Sequence, residues 1–320
     1  MNPKDNFAKC PKVSFVIPCH DLPAWMVREC LESITALSLR PEEREIIVVD
    51  DGSDTCLIDE LTEYRDHIIY IRTRHSGLGA SRNNGLQMAT GAYVQFVDGY
   101  DKLISEAYEH CLDIVRYNNP DIVLFDFAET ERKDDKYYIP EPQDGAEYMR
   151  HNDLHTTAWG YVFKRSILLS LRFTPGLHHE DEEFTPQLML RAEKVYDTNI
   201  AAYFYRQRPK STTRSTDKRS MIKRLNDMEH IIFHLDDISN SLPTSDRVAL
   251  KRRVAQLTMD YILNTIRLTR SKSQLDQRIN RLKAKGLFPL PENSHTKKYM
   301  LFSKLVKYDI TRKLLASVIR

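Results

Sequence analysis

This 320-residue sequence predicts an α/β fold: a mostly parallel central sheet flanked by helices, followed by a helical C-terminal region. Three observations carry the prediction. Short apolar runs, β-branched or aromatic, recur through the first 130 residues. Stretches with apolar residues at helical spacing separate them. From about residue 221 only the helical periodicity remains. Nearly continuous apolar runs are what strands buried on both faces of a parallel sheet look like. Strand–helix alternation then implies right-handed crossovers.

The runs are VSFVI (13–17), EIIVV (45–49), HIIYI (67–71), AYVQFV (92–97) and DIVLFDF (121–127). Between them, 24–37, 55–65, 78–90 and 103–117 carry helical spacing. The polar, proline-bearing stretch after residue 130 reads as a loop or edge hairpin. WGYVF (159–163) reads as another strand, and 179–193 as a helix opened by acids, which suits the positive end of its dipole. IAAYFYRQ (200–207) reads as the last strand, and 208–220 as a basic, hydroxyl-rich loop. Residues 221–238 and 246–270 show apolar positions at i, i+3, i+4 and i+7. LFPLPEN (287–293) interrupts the pattern at its prolines, and 297–320 reads as one basic amphipathic helix. The chain therefore divides at about residue 220, with 1–220 as one domain and 221–320 as a helical, basic region.

Composition narrows the function classes. Apolar residues make up 41% and charged residues 29%, ordinary values for a globular chain. No window holds 18 consecutive apolar residues, and the N-terminus lacks the apolar run of a signal peptide. The five cysteines are scattered without a CxxC pair, which fits a reduced, cytoplasmic chain better than a zinc site or disulfide framework. Residues 271–320 hold 12 Lys/Arg against 3 Asp/Glu, a net of +9. With +2 overall, the first 270 residues carry −7. A basic tail on an acidic body suggests an anionic partner, a membrane surface or nucleic acid; a solvated surface explains it as simply. Nucleic acid is not expected, because stacking motifs and a recognition helix are lacking.

Ligands of open α/β sheets bind beyond the carboxyl ends of the strands. The loops there are PCHDLP (18–23), DDGSD (50–54), RTRHSGLGASRN (72–83) and DGYD (98–101). A carboxylate at a strand end accepts hydrogen bonds from a ribose or a base, although a capped turn explains either acid of DDGSD alone. SGLGASR is nearly GxGxxG, but Arg82 stands where the third glycine belongs, so a dinucleotide fingerprint is not expected. DGYD places Asp98 and Asp101 three residues apart, and hard cations bound with phosphates want one or two carboxylates. Asp101 is equally explained as a helix cap. HHEDEEF gathers four acids, either a solvated helix start or the source of a general base.

Taken together, these residues resemble the family 2 glycosyltransferases, inverting enzymes of the GT-A fold, in particular those of bacterial surface polysaccharides. The resemblance runs from about Lys12 to Ser215. VSFVIPCHD is similar to the family's opening strand and IIVVDDGSD to its "VDDGSTD" signature. HSGLGASRNNGL resembles "NxGxxxARNxG", and VQFVDGYD sits where the family carries its metal-binding "FLDSDD". WGYVFKRSIL, HEDEEF and YRQRPKSTTRS follow in the family's order.

The resemblance implies hexosyl or N-acetylhexosaminyl transfer from a nucleotide-sugar, most often a UDP-sugar, to a hydroxyl of a glycan or lipid-linked acceptor in polysaccharide biosynthesis. It implies a divalent cation, Mn²⁺ or Mg²⁺, held by Asp98 and Asp101. Asp181 would be the base, with Glu180 its rival. Pro18, Cys19 and His20 would line the nucleotide pocket, with Asp50 and Asp51 at the base or ribose. Arg82 would lie near the diphosphate, Asp98 near ribose or metal, and Trp159 at the sugar or acceptor. Arg206, Arg208 and Ser211 would belong to a closing loop. One departure stands out: the family's second DxD acid is here Tyr100, a poor ligand for these cations. The alternative is therefore a weakly active or inactive nucleotide-sugar-binding relative. The motifs do not cover 221–320. Its last helix is expected either to pack in a bundle or to lie on an anionic membrane. The chain is expected in the cytoplasm, free in the first case and peripheral on the inner membrane face in the second.

Overall fold

The computed structural model describes residues 13–130, 137–207, 217–291 and 297–318. They form two compact units. The first takes the described residues up to Tyr148, then His155–Gly176, then those from Glu180 to Gln207. The second takes Met149–Leu154, Leu177–His179 and the described residues from Asp217 onward.

The first unit is built on an eight-stranded sheet. Its strands are β1 (Val13–Cys19), β2 (Arg44–Asp50), β3 (Ile69–Arg72), β4 (Tyr93–Phe96), β5 (Lys102–Leu103), β6 (Ile122–Ala128), β7 (Tyr161–Lys164) and β8 (Val195–Phe204). Their order is β3-β2-β1-β4-β7-β6-β8-β5. The expected parallel pairing holds across β3-β2-β1-β4. Beyond β4 the sheet is mixed, because β7 runs antiparallel to both β4 and β6, while β6 and β8 are parallel.

Helices cover both faces. They are α1 (Ala24–Thr35), α2 (Leu57–Glu60), α3 (Leu78–Met88), α4 (Ser105–Asn118) and α6 (Glu180–Met189), with α5 (Gly145–His151) between β6 and β7. On one face Phe15, Ile17 and Val48 form a continuous core with Val27, Leu31, Tyr108 and Leu112. Elsewhere in the unit the rings of Phe173 and Phe184 stack at 3.9 Å, with Phe96 edge-on to Phe173. α3 lies tightly on β1: a Cβ at Gly85 would meet Val16 Cγ1 at 2.2 Å, so only glycine allows this approach.

Two boundaries differ from expectation for packing reasons. The helix expected over 55–65 stops after Glu60, because Leu61 turns into the core with φ −113°, and a short 3-10 turn follows. β8 begins at Val195, ahead of the run expected from residue 200, drawn into pairing by β6.

The second unit contains α7 (Lys218–Asn240), α8 (Thr244–Thr269), α9 (Lys272–Ala284), α10 (Lys297–Lys307) and α11 (Asp309–Val318). Asp217 caps α7 through Ser220 N, and Ser271 caps α9 through Gln274 N. Leu225, Ile232 and Leu235 of α7 and Leu250, Leu257 and Tyr261 of α8 are buried at helical spacing. The expected single last helix is broken after Lys307. Arg312 donates to the Val306 and Lys307 carbonyls and pairs with Asp276, while Asp309 pairs with Lys272. These contacts satisfy the end of α10 and start α11 in a new direction.

Candidate active site

The carboxyl ends of β1, β2 and β4 meet at one rim. Backbone hydrogen bonds join them: Asp51 N donates to Cys19 O at 2.8 Å, and Gly99 N to Pro18 O at 3.3 Å. Pro18 and Cys19 are buried inside the strand end, and His20 is the first residue of that loop to reach solvent. Burial, then the nearby Asp50 and Asp98 carboxylates, push the Cys19 thiol upward, so it is no nucleophile.

The two acids after β2 hold the loops. Asp50 is fully buried and accepts from Ser53 N at 2.8 Å and from Tyr70 Oη at 2.5 Å. Burial alone would raise its pKa; these hydrogen bonds and the Arg72 charge outweigh it and hold the carboxyl below the usual range. Asp51 is 3% exposed and clamps the next loop. It accepts from Ser76 N and Gly77 N, both at 2.8 Å, and from Ser76 Oγ at 3.0 Å. Gly52 follows the two acids with φ +71°, and a Cβ there would meet His75 N at 2.6 Å. The doublet expected to contact a ligand thus accepts from backbone N–H groups and hydroxyls of its own chain. What this half of the rim exposes is a ring pair: His20 and His75 stack at 4.1 Å above the Asp51 clamp. Sequence reasoning included His75 only as a member of its loop; no local signal singles it out.

The centre of the site is an ionic chain. Arg82, on the second turn of α3, is 2% exposed. It donates to Glu180 Oε1 at 2.6 Å and to Asp98 Oδ1 at 3.2 Å. Its guanidinium also lies 5.5 Å from the Phe173 ring centroid. Burial alone would lower its pKa; Asp98, Glu180 and Asp181 outweigh that and keep it charged. Arg82 is therefore enclosed beneath the rim, not presented to a diphosphate. Asp181 opens α6 beside Glu180 and keeps partial contact with solvent. Burial, then the Glu180 and Glu182 carboxylates, raise its pKa to about 8 against the opposing Arg82 charge. The structure thus separates two adjacent acids: Glu180 is buried and tied to Arg82, whereas Asp181 is only partly buried and is readily protonated.

The DGYD turn corrects the expected metal pair. Asp98 Oδ2 accepts from Tyr100 Oη at 3.0 Å, and Asp98 Oδ1 is taken by Arg82. Asp101 is fully buried and faces β8: Oδ2 accepts from Tyr203 Oη at 2.9 Å and Oδ1 from Arg206 N at 2.8 Å. The oxygens of both carboxylates are thus occupied by protein donors, and among the described residues no group of three or more His, Cys, Asp and Glu is placed to hold an ion. These donors do not fit a resident divalent cation. Tyr203, unforeseen in its apolar run, joins both acids, since its hydroxyl also accepts from Asp98 N at 3.1 Å.

Arg206 is likewise committed. Its Nε donates to the Tyr100 carbonyl at 2.8 Å, its Nη2 pairs with Glu29 of α1, and its guanidinium lies 5.2 Å from the Trp25 ring centroid. It anchors the chain leaving β8. Arg208 and Ser211 lie outside the described residues. Trp159 is 7% exposed and stacks on Tyr203 at 4.3 Å, which brings it to the same rim.

Comparison with known proteins agrees with this layout. Residues 14–169 match the profile of glycosyl transferase family 2. Glycosyltransferase GlyA of Streptococcus pneumoniae is 29% identical over 270 residues, 78% of this chain and 38% of that protein. A poly(ribitol-phosphate) beta-glucosyltransferase of Bacillus spizizenii is 30% identical over 203 residues, 61% of this chain and 32% of that one. The chain thus spans about a third of the length of these two relatives. The structure of S. aureus TarS 1–349 superposes with a TM-score of 0.63 at 17% identity, over 95% of this chain and 88% of that one. The same protein in complex with UDP-GlcNAc gives 0.57 at 16% identity, over 92% and 90%. At such identity the likeness speaks for the GT-A fold alone. The motif order, the profile match and the relatives together show that residues 14–169 of the chain belong to glycosyl transferase family 2.

Proposed function

We propose that this chain is an inverting glycosyltransferase that moves a sugar from a UDP-sugar to a hydroxyl of a glycan or lipid-linked acceptor in polysaccharide biosynthesis. The observation that carries the reading is Asp181. A base works best with a pKa near the working pH, and this carboxylate, on a partly buried residue at the start of α6, is raised toward that range. In the proposed step the acceptor hydroxyl gives its proton to Asp181 as its oxygen attacks the anomeric carbon. The bond from that carbon to the diphosphate oxygen breaks on the opposite face, and the nucleoside diphosphate leaves. Glu180 holds Arg82, and Arg82 holds Asp98, so the pair positions the rim without touching the reacting atoms. His20 and His75 offer a flat platform for the base. The TarS complex with UDP-GlcNAc supports a uridine donor by analogy of fold. No step is routed through a divalent cation.

A second reading is supported by one observation: Tyr100 occupies Asp98 Oδ2. In that reading the chain binds a nucleotide-sugar without transferring it. A panel of UDP-sugars with Mn²⁺, with Mg²⁺ and with EDTA, on the wild type and on Asp181→Asn, separates the two. Turnover lost in the variant supports transfer. UDP-sugar binding without turnover in either protein supports the second reading.

We further assign residues 1–220 to catalysis and 221–320 to a helical appendage in the cytoplasm. Among the described residues no helix is long and apolar enough to cross a membrane. A peripheral contact with anionic lipid is supported by α10 and α11, which expose Leu301, Tyr308 and Ile310 beside Lys304, Lys307 and Lys313. Co-sedimentation with phosphatidylglycerol vesicles, but not with phosphatidylcholine vesicles, is the expected result.

A further inference from the structure

Three segments far apart in sequence bring four aromatic rings to one end of the sheet. Phe127 lies next to the end of β6, Trp159 precedes β7, Tyr203 lies near the end of β8 and Tyr205 follows it. Trp159 stacks on Tyr203 at 4.3 Å and on Tyr205 at 5.8 Å. Phe127 stands edge-on to Trp159 at 5.4 Å and to Tyr205 at 5.8 Å. Tyr203 and Trp159 are buried and form the floor, whereas Phe127 is 47% exposed and Tyr205 partly so. The Tyr205 hydroxyl makes no hydrogen bond among the described residues.

Two features give this cluster a purpose beyond packing. The β6–β8 register shifts twice, between Leu124 and Asp126 and again between Asp126 and Phe127. Such irregularities re-aim side chains beside functional sites. The cluster is also continuous with the rim, because the Tyr203 hydroxyl under Trp159 bonds both Asp98 N and Asp101. Sheet order then assigns the sides. His20 and His75 follow β1 and β3, Asp98 follows β4 in the middle, and the aromatic rings lie on the β7-β6-β8 side. A donor whose base rests on the histidines places its sugar near Asp98, which leaves the aromatic side to the acceptor.

We infer that Phe127, Tyr205 and Trp159 form an acceptor subsite that takes the apolar face of a pyranose ring. The inference rests on the glycosyltransferase reading above and narrows it: the acceptor ends in a cyclic sugar and not in an acyclic polyol phosphate. Electron-rich ring faces attract the polarised C–H bonds on one side of a pyranose, and an open polyol chain presents no such flat face. The Tyr205 hydroxyl would add a hydrogen bond for a ring hydroxyl.

The test uses the full chain saturated with UDP, on an array of immobilised pyranosyl oligosaccharides with ribitol-phosphate oligomers alongside. Calorimetry with UDP is run first. If the wild type does not bind UDP, the donor reading itself fails. If it does, the wild type is expected to be retained on a pyranosyl glycan in preference to ribitol phosphate. Phe127→Leu, which keeps apolar bulk but removes the ring, should weaken retention about tenfold, or about 1.4 kcal/mol. Phe127→Tyr should restore it, and UDP affinity should stay within about twofold in both. Equal retention of wild type and Phe127→Leu, preference for ribitol phosphate, or no retention on any glycan overturns the subsite while leaving the UDP result standing.

Discussion

Replacing Asp181 with asparagine should abolish transfer and at the same time stabilise the fold. The carboxyl is held at about 8 instead of its ordinary 3.8, first by burial and then by Glu180 and Glu182. Sealed from water, that displacement would correspond to about 6 kcal/mol of disfavoured charge. Asp181 keeps partial solvent contact, which lowers the expected cost to about 2–3 kcal/mol. The sign follows from linkage. A folded-state pKa above the unfolded one means that the folded chain holds the proton more tightly. The contribution of Asp181 is therefore fully favourable below about pH 4 and is lost as pH rises through about 8. Asparagine does not ionise. The stability gap between variant and wild type should be near zero at pH 4 and grow to about 2–3 kcal/mol by pH 9. Urea unfolding at several pH values, followed by the fluorescence of Trp25 and Trp159, measures it. In parallel, kcat/KM of the wild type should climb with pH toward a plateau above about 8, while the variant loses about 10²–10⁴-fold on that plateau and the gap narrows as pH falls below it. A variant equally or less stable than the wild type throughout would refute the reasoning, because the carboxylate would then carry no stored cost.

Other perturbations probe the remaining parts of the site. Arg82→Met leaves the buried Asp98 and Glu180 without their shared cation, and should cost about 3–5 kcal/mol in urea unfolding at pH 7; a loss below about 1 kcal/mol would contradict a buried ionic chain. Tyr100→Asp removes the hydroxyl from Asp98 Oδ2 and places a second carboxylate in the turn, so calorimetry should show Mn²⁺ binding in the variant well above that of the wild type. Unchanged Mn²⁺ binding would show that Tyr100 is not what keeps the ion out. His20→Ala removes one ring of the stacked pair and should weaken UDP binding by about three- to tenfold, with kcat at saturating donor little changed.

Much of the architecture is written in local sequence. VSFVI, EIIVV and DIVLFDF are nearly continuous in apolarity because most of their residues are buried, so the pattern alone places them in a buried sheet. The helices of the second unit are visible for the same reason: 221–238 and 246–270 bury one stripe each. The rim residues could also be found in sequence, since polar, glycine-bearing loops after buried strands have few other uses.

Their individual roles could not be read there. Asp50 and Asp51 look alike in DDGSD, as do Glu180 and Asp181 in HHEDEEF. What distinguishes each acid is which donor approaches it from elsewhere in the chain: Tyr70 for Asp50, Ser76 and Gly77 for Asp51, Arg82 for Glu180. Asp101 sits three residues from Asp98, yet Tyr203 and the Arg206 amide draw it away. The reversal of β7 and the aromatic platform of Phe127, Trp159 and Tyr205 are likewise tertiary facts. Sequence by itself determined the fold class, the rim and the family, because these depend on local hydrophobic pattern and contiguous motifs. Only the tertiary structure decided which carboxylate is paired and which is poised, because charge pairing and burial depend on residues up to about a hundred positions away.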